Sequence, residues 1–369
     1  MSERRKIRVG IVFGGQSAEH EISILSARNV LRALDRSRFE PILIGIEKTG
    51  RWLVQSEQKL LSGSNDPRKV RIDSDPPVQL ASPFSGPLPA ASDGVGGLDI
   101  IFPVLHGTLG EDGSIQGLFE VAGIPYVGAG VLGSAIGMDK DVMKRLLRDA
   151  GIPIADFRCI RLDQFDAQPE EFMGELVPLG YPLFIKPANA GSSVGIRRVS
   201  TAAALEEAIR HAFRFDSKVL AEAAIVGREI ELAVLGGNPP SVSVPGEIIV
   251  EHSDGFYSYD AKYIDEHGAR LEMPARMDSE ERLRAQSLAL RAFEVLECDG
   301  MARVDLFLQA DGSLLVNEIN TIPGFTAISM YPKLWALSGI GLTELVTRLI
   351  DLALKRAQRR AEMRRSFVT

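Results

Sequence analysis

The chain is poor in cysteine: Cys159 and Cys298 are the only two among its 369 residues. Two thiols make no disulfide framework, and such sparse usage fits a reducing cytoplasm. Long apolar runs are also missing. No stretch approaches the roughly 20 residues that span a bilayer. The apolar run after the basic start ends at Gly14-Gly15, too short for the core of a secretory signal. Positive charge is not in excess, since 42 Lys and Arg face 49 Asp and Glu for a formal net charge of −7. That balance speaks against non-specific nucleic-acid binding, while leaving room for a local basic pocket that takes phosphates. There is no internal repeat. What remains is 45% hydrophobic and 25% charged, an ordinary globular composition in a chain long enough for about two or three domains.

The most informative segment lies near the end. Residues 301–307, Met-Ala-Arg-Val-Asp-Leu-Phe, alternate as a strand does, so Asp305 projects from one face. A turn at 310–313 and an apolar run at 314–316 follow. They deliver Glu318 and Asn320, two residues apart and so on one face of the returning strand. Such a hairpin gathers two carboxylates and a carboxamide. Oxygen donors of this kind suit Mg²⁺, which keeps waters and substrate phosphates in its shell. The plain alternative is a solvated acidic hairpin, and the apolar neighbours argue against full exposure.

Elsewhere the pattern predicts a buried strand over 7–13, a glycine turn at Gly14-Gly15-Gln16-Ser17, and a helix starting near residues 17–19, the opening of an α/β unit. Strands are expected at 40–46, 98–105, 181–186, 218–224 and 229–235. Helices are expected at 132–149, 202–213, 278–296 with Asp278 as N-cap, and 343–359. Residues 61–97, rich in Ser, Pro, Gly and Asp, are longer than a normal connection and read as an insertion with little chemistry.

The loop 186–195, Lys-Pro-Ala-Asn-Ala-Gly-Ser-Ser-Val-Gly, follows a strand. Its glycines allow close backbone approach, its N–H groups and serines can hold phosphate oxygens, and Lys186 adds charge. It is not a Walker A loop, because no Gly-Lys-Ser or Gly-Lys-Thr triplet is present. Glu222, on an apolar strand, and Glu229 could hydrogen-bond an adenine amino group or a ribose hydroxyl; both could equally be surface acids.

Together these segments resemble the D-alanine–D-alanine ligases. Residues 14–23, Gly-Gly-Gln-Ser-Ala-Glu-His-Glu-Ile-Ser, look like the first signature of that family, and 106–113, His-Gly-Thr-Leu-Gly-Glu-Asp-Gly, like the second. The Gly/Ser loop, Arg303-Val304-Asp305 and 317–324, Asn-Glu-Ile-Asn-Thr-Ile-Pro-Gly, look like the rest, so the likeness covers about 7–354. It implies the ATP-grasp fold, mixed α/β and α+β, in three domains: a Rossmann-like N-terminal α/β domain at 1–130, a central ATP-grasp subdomain at 131–228 and a C-terminal one at 229–369. It also implies a ligase that forms a C–N bond. One D-alanine becomes an acyl phosphate at the expense of ATP, and the amine of a second D-alanine displaces phosphate, giving D-alanyl-D-alanine for peptidoglycan precursors.

The resemblance also implies residue roles. Glu19 binds the first D-alanine's ammonium; a helix cap is the competing role. His106 lies near that substrate's carboxylate. Lys140, Lys186, Ser193, Glu222, Ile225, Glu229, Lys262 and Phe307 bind ATP. Arg303 and the Gly324 amide hold the oxyanion, the alternative for Arg303 being an ordinary salt bridge. Ser329 and Met330 take the second substrate's carboxylate. Asp305, Glu318 and Asn320 hold two Mg²⁺, or Mn²⁺. Residues 256–263 form a lid that excludes water, with Tyr263 hydrogen-bonded to Ser192 and Glu19. Tyr263 favours an amine nucleophile over the hydroxyl of D-lactate. Partners are D-alanine and ATP, with no nucleic acid or membrane, and the family expectation is a homodimer. The chain departs from some relatives at Ala223, where a lysine often follows the glutamate. The rivals are a D-alanine–D-lactate ligase or another ATP-grasp ligase, a catalytically dead nucleotide-binding regulator, and a Rossmann oxidoreductase; residues 14–19 lack the G-x-G-x-x-G spacing that the last needs.

Overall fold

The run Ile7–Gly14 is apolar on both faces and forms β1, buried from Val9 onward. A strand covered on both sides asks for parallel neighbours, and β1 pairs in parallel with β2 (Phe39–Ile46) and β4 (Ile100–Val104). β3 (Trp52–Gln55) adds antiparallel to β2, giving the order β3-β2-β1-β4. The helices of this unit are α1 (His20–Ala33), α2 (Glu57–Ser62) and α3 (Ser114–Val121). The computed structural model describes residues 5–64, 66–72, 97–250 and 269–363. The described ends of the expected insertion are anchored: Val70 is buried, and the Gly63 and Ser64 carbonyls accept from Arg28.

Where the pattern predicts one helix over 132–149, there are two, α4 (Val131–Met138) and α5 (Lys140–Asp149). Asp139 between them is extended, with ψ of 98°, and its carboxylate accepts from the Asp141 and Val142 amides at 3.1 and 3.0 Å. Helical periodicity runs through the break unaltered, so only the capping geometry reveals it. The break starts α5 at Lys140, whose amide donates to the Ala188 carbonyl.

A second, antiparallel sheet has the order β5-β8-β6-β7, from β5 (Phe157–Arg161), β6 (Leu183–Pro187), β7 (Arg197–Val199) and β8 (Lys218–Ala223). α6 (Leu162–Ala167), α7 (Pro169–Leu176) and α8 (Leu205–Ala212) accompany it, and Phe165, Leu176, Leu205 and Ile209 are buried with Ile160, Leu183 and Val219. The pattern missed β5, whose Phe-Arg-Cys-Ile-Arg mixes exposed and buried positions.

The third sheet runs β12-β11-β9-β13-β14, with β10 beside β9: β9 (Arg228–Leu235), β10 (Ser241–Val242), β11 (Gly246–Val250), β12 (Ala269–Glu272), β13 (Met301–Leu308) and β14 (Leu314–Asn320). α9 (Ser279–Val295) packs on it and starts at a capping box between Asp278 and Glu281, the expected N-cap. α10 (Met330–Leu337) and α11 (Leu342–Glu362) follow. Leu345, Val346, Leu349 and Ile350 of α11 share one core with Val9, Ile24, Val30 and Phe102, so the last helix folds back onto the first sheet. The core therefore runs across the boundary expected at 229. Among the described residues no helix is long and apolar enough to cross a membrane.

Candidate active site

The β13–β14 hairpin forms as its alternation demands. Asp305 pairs with Glu318 and Arg303 with Asn320, and a bulge follows Asp305. On the other side of β13, Asp305 pairs with Glu231 of β9. The Arg303 guanidinium forks onto both oxygens of Asp305, at 2.7 and 2.6 Å, and stands 3.3 Å from Glu231. Burial works against that charge, but Asp305 and Glu231 outweigh it and hold the guanidinium well above its ordinary range. The salt-bridge alternative for Arg303 is thus realised, beside a cavity. Glu231 escaped the sequence reading; the available signal was an acid alternating within an apolar strand.

Lys140 reaches the Ala190 carbonyl at 2.7 Å and lies 3.9 Å from Glu318, and it is buried rather than solvated. Lys186 sits 2.9 Å from one oxygen of Glu222, and Lys144 sits 3.0 Å from the other. Lys144 is fully buried and was not foreseen, although its place four residues after Lys140 puts both on one helix face. Two ammonium groups sharing one carboxylate leave net positive charge beside Ser193 and the 186–195 loop.

Glu19 occupies the N-cap position of α1, yet its side chain makes no capping bond. It accepts instead from the Ser192 hydroxyl, a contact across 173 residues. Ser192 and Ser193 both have left-handed backbones, φ of 48° and 60°, which non-glycine residues adopt at a cost and mostly where function holds them.

His106 is buried with both ring nitrogens engaged, Nδ1 to the Ile322 carbonyl at 2.9 Å and Nε2 to Ser26 Oγ at 3.2 Å. Burial holds its pKa below the ordinary histidine range. It lines the cavity, but in this arrangement neither nitrogen is free for a substrate carboxylate. Glu111, part of the second signature but not singled out as a site residue, accepts from the Gly107 amide at 2.6 Å and the Ile322 amide at 3.1 Å. Burial, then the charge of Glu19, pushes its carboxyl up to about 8. A carboxyl raised on folding binds its proton more tightly in the native state. Its contribution to stability is therefore full below about pH 4.5 and falls as pH rises towards about 8. The slope is about 1.4 kcal/mol per pH unit. Glu111→Gln should flatten that slope in denaturant titrations run from pH 5 to 8; an unchanged slope would assign it to another group.

Ser329 is the N-cap of α10, and Met330 opens the helix with its amide among the unpaired N–H groups of a helix start. A Cβ placed on Gly324 would meet Ser329 Oγ at 2.7 Å. Ser329 Oγ also contacts Thr326, with the Thr326 amide at 3.0 Å. Gly324→Ala should therefore displace the 324–329 turn and lower turnover about 100-fold, the order of loss for a misplaced catalytic group. Steady-state kinetics beside a thermal melt checks this, and a variant with wild-type turnover refutes it.

Two adjoining cavities collect these residues. One of about 680 Å³ is lined by Glu19, His106, Ser192, Arg303, Asn320, Gly324, Ser329 and Met330, among others. The other, of about 450 Å³, is lined by Lys186, Ser193, Glu222, Ile225, Glu229, Asp305 and Phe307. Lys140, Glu231, Ile248 and Glu318 border both. Every expected site residue that is described lines one or the other; Lys262 and Tyr263 lie outside the described residues. Among the described residues, no group of three or more His, Cys, Asp or Glu side chains could hold a metal. The hairpin set is two carboxylates and a carboxamide. Arg303 takes one lone-pair direction on each Asp305 oxygen, and a carboxylate offers about four. Such a set fits Mg²⁺, which draws its remaining ligands from water and phosphate.

Comparison with known proteins is consistent over nearly the whole length. Residues 8–129 match the family model described as D-ala D-ala ligase N-terminus, and 146–351 match the one described as D-ala D-ala ligase C-terminus. The chain is 50% identical over 365 residues to the D-alanine–D-alanine ligase A of Chromobacterium violaceum, covering 98% of this chain and 99% of that one. The solved D-alanine–D-alanine ligase of Coxiella burnetii superposes with a TM-score of 0.81 at 36% identity, covering 97% of each chain. The VanG D-Ala:D-Ser ligase of Enterococcus faecalis also gives a TM-score of 0.81 at 36% identity, covering 95% of this chain and all (100%) of that one.

Proposed function

Because the chain belongs to the D-alanine–D-alanine ligase family, whose members have the ATP-grasp fold, we propose that its paired cavities join two D-alanines at the expense of ATP. The observation that carries this reading is the seam. The smaller cavity has the lysines, serine and acids that suit a nucleotide triphosphate. The larger has an acid for an ammonium, a guanidinium, and a helix start for a carboxylate. Lys140 and Glu318 stand where the two meet.

ATP lies along the second cavity, with Lys186 and Lys140 on its phosphates and Glu229 near the ribose. The first D-alanine sits with its ammonium on Glu19. Its carboxylate oxygen attacks the γ-phosphorus, the bond to the β-phosphate oxygen breaks, and ADP leaves. A free carboxylate would have to expel oxide; the acyl phosphate expels phosphate instead. The second D-alanine, its carboxylate on Ser329 and the Met330 amide, then attacks the carbonyl carbon through its free amine. Arg303 and the Gly324 amide hold the oxyanion until phosphate departs and the nitrogen loses its proton. Asp305, Glu318 and Asn320 would hold two divalent cations, which neutralise charge on the β- and γ-phosphates. We place the enzyme in the cytoplasm, where ATP is made, and as a homodimer.

The test is phosphate release from ATP with D-alanine, L-alanine, D-serine, D-lactate or no acceptor, with products identified by mass. Release that depends on D-alanine and yields the dipeptide supports the reading. D-serine and D-lactate matter because a D-Ala:D-Ser ligase is among the structural relatives. Preferential formation of a mixed product would reassign the second subsite while leaving the first step intact.

A further inference from the structure

The turn after β14 carries Gly324, whose amide is the oxyanion donor proposed above. Four side chains from the N-terminal part of the chain grip the backbone on either side of it. The Ile322 amide donates to Glu111 Oε1 at 3.1 Å, and the Ile322 carbonyl accepts from His106 Nδ1 at 2.9 Å. The Phe325 amide donates to Ser26 Oγ at 3.1 Å, and the Phe325 carbonyl accepts from Asn29 Nδ2 at 2.9 Å. Both polar groups of Ile322 and both of Phe325 are therefore taken, with Pro323-Gly324 between them. Proline fixes its own φ, so little freedom remains to the peptide that presents the Gly324 amide.

The grip is also internally consistent. Ser26 Oγ lies 3.2 Å from His106 Nε2. With the Nδ1–H tautomer, Ser26 donates to His106, His106 donates to Ile322, and Ser26 accepts from Phe325, so each contact has one donor and one acceptor. Phe325 is held further by its ring, edge-on to Phe102 with centroids 5.9 Å apart. Ordinary core formation asks only that buried backbone groups be paired. Here each of the four backbone groups meets a side chain more than 200 residues away, the Ile322 amide being shared with the local Asn320 Oδ1 at 3.2 Å, and the four fall on the two residues that bracket Pro323-Gly324.

We propose that Ser26, Asn29, His106 and Glu111 are positioning residues, which aim the Gly324 amide at the oxyanion by bracketing its turn. This rests on the reaction proposed above. It assigns the first helix and the second signature a part in acyl transfer separate from substrate binding, and it gives His106 a role that needs no contact with substrate.

The experiment uses the full-length chain with Ser26→Ala, Asn29→Asp and Glu111→Gln. Amide hydrogen exchange over 321–326 is read first, because it needs no activity. Exchange at this turn should rise about tenfold or more in each variant, with α9 unchanged. Turnover should fall about 10- to 100-fold, the range for a displaced oxyanion donor, while KM for ATP stays within about twofold. Unchanged exchange, or a loss of turnover accompanied by a raised KM for ATP and a lowered melting temperature, would overturn the bracket. Ser26→Ala removes one oxygen and guards against a variant that does not fold. If the unmutated chain makes no dipeptide, the reaction proposed above fails, and the exchange data still decide whether the bracket holds the turn.

Discussion

Arg303→Met is expected to lower kcat by about a thousandfold, the upper range for loss of a group that stabilises an oxyanion. Three features set that size. The side chain is largely buried, so nothing in water replaces it. It forks onto Asp305 and faces Glu231, so its plane is fixed before substrate arrives. It lines the cavity that also presents Gly324, Ser329 and Asn320. Methionine keeps much of the volume and removes the charge that Asp305 and Glu231 both face. Arg303→Lys should recover less than about a tenth of the lost rate, because an ammonium cannot make the two-pronged contact. Phosphate release and dipeptide formation, followed separately, check this. A lysine variant with half the wild-type rate would show that charge alone suffices and that the fork is ordinary structure.

Glu222→Gln is expected to cost the protein about 3 to 5 kcal/mol, the penalty for uncovering a buried charge by removing its partner. Burial pushes the Glu222 carboxyl up, and Lys144 and Lys186 together more than reverse it, so the group is held below the usual carboxylate range. Lys144 is pushed below the ordinary lysine range by its own burial, with Glu222 as the attraction opposing that. Without Glu222, Lys144 must lose its proton or stay charged in a site closed to bulk solvent. The double variant Glu222→Met with Lys144→Met should regain most of the stability, since it removes both charges of the pair. KM for ATP should stay about tenfold or more above wild type in both, since the phosphate-side charges are no longer arranged, a loss of about 1.4 kcal/mol. Denaturant titration and ATP kinetics on the three proteins test this. Equal stability in the single and double variants would show that Lys144 draws its support from elsewhere.

Much of the site was legible before any fold was known. Asp305, Glu318 and Asn320 could be grouped because side chains alternate along a strand and a short turn sets which residues face each other. The 186–195 loop was legible from glycines and serines behind a strand ending in lysine. Lys140 was reached by resemblance alone, since a lysine near a helix start is usually solvated; its burial at the seam gives it a physical basis. Lys144, Glu231 and Glu111 were not reached. Each matters because it is buried against a charge or amide supplied by a distant element, and residue type does not record burial.

The same division holds for the fold. Runs such as 7–14 and 301–308 carry their own secondary structure, since local hydrophobic period is a property of neighbouring residues. The break at Asp139 does not show in that period, because a cap is a matter of one dihedral and two hydrogen bonds. Strand faces, turns and the oxygen-donor chemistry of the hairpin are thus written in short stretches of chain. The link from Glu19 to Ser192, the charge shared by Lys144, Glu222 and Lys186, and the grip on Ile322 and Phe325 are not. They arise when three sheets and their helices close around common cores. Burial then strengthens each charge's need for a partner, and packing supplies that partner from more than 30 residues away.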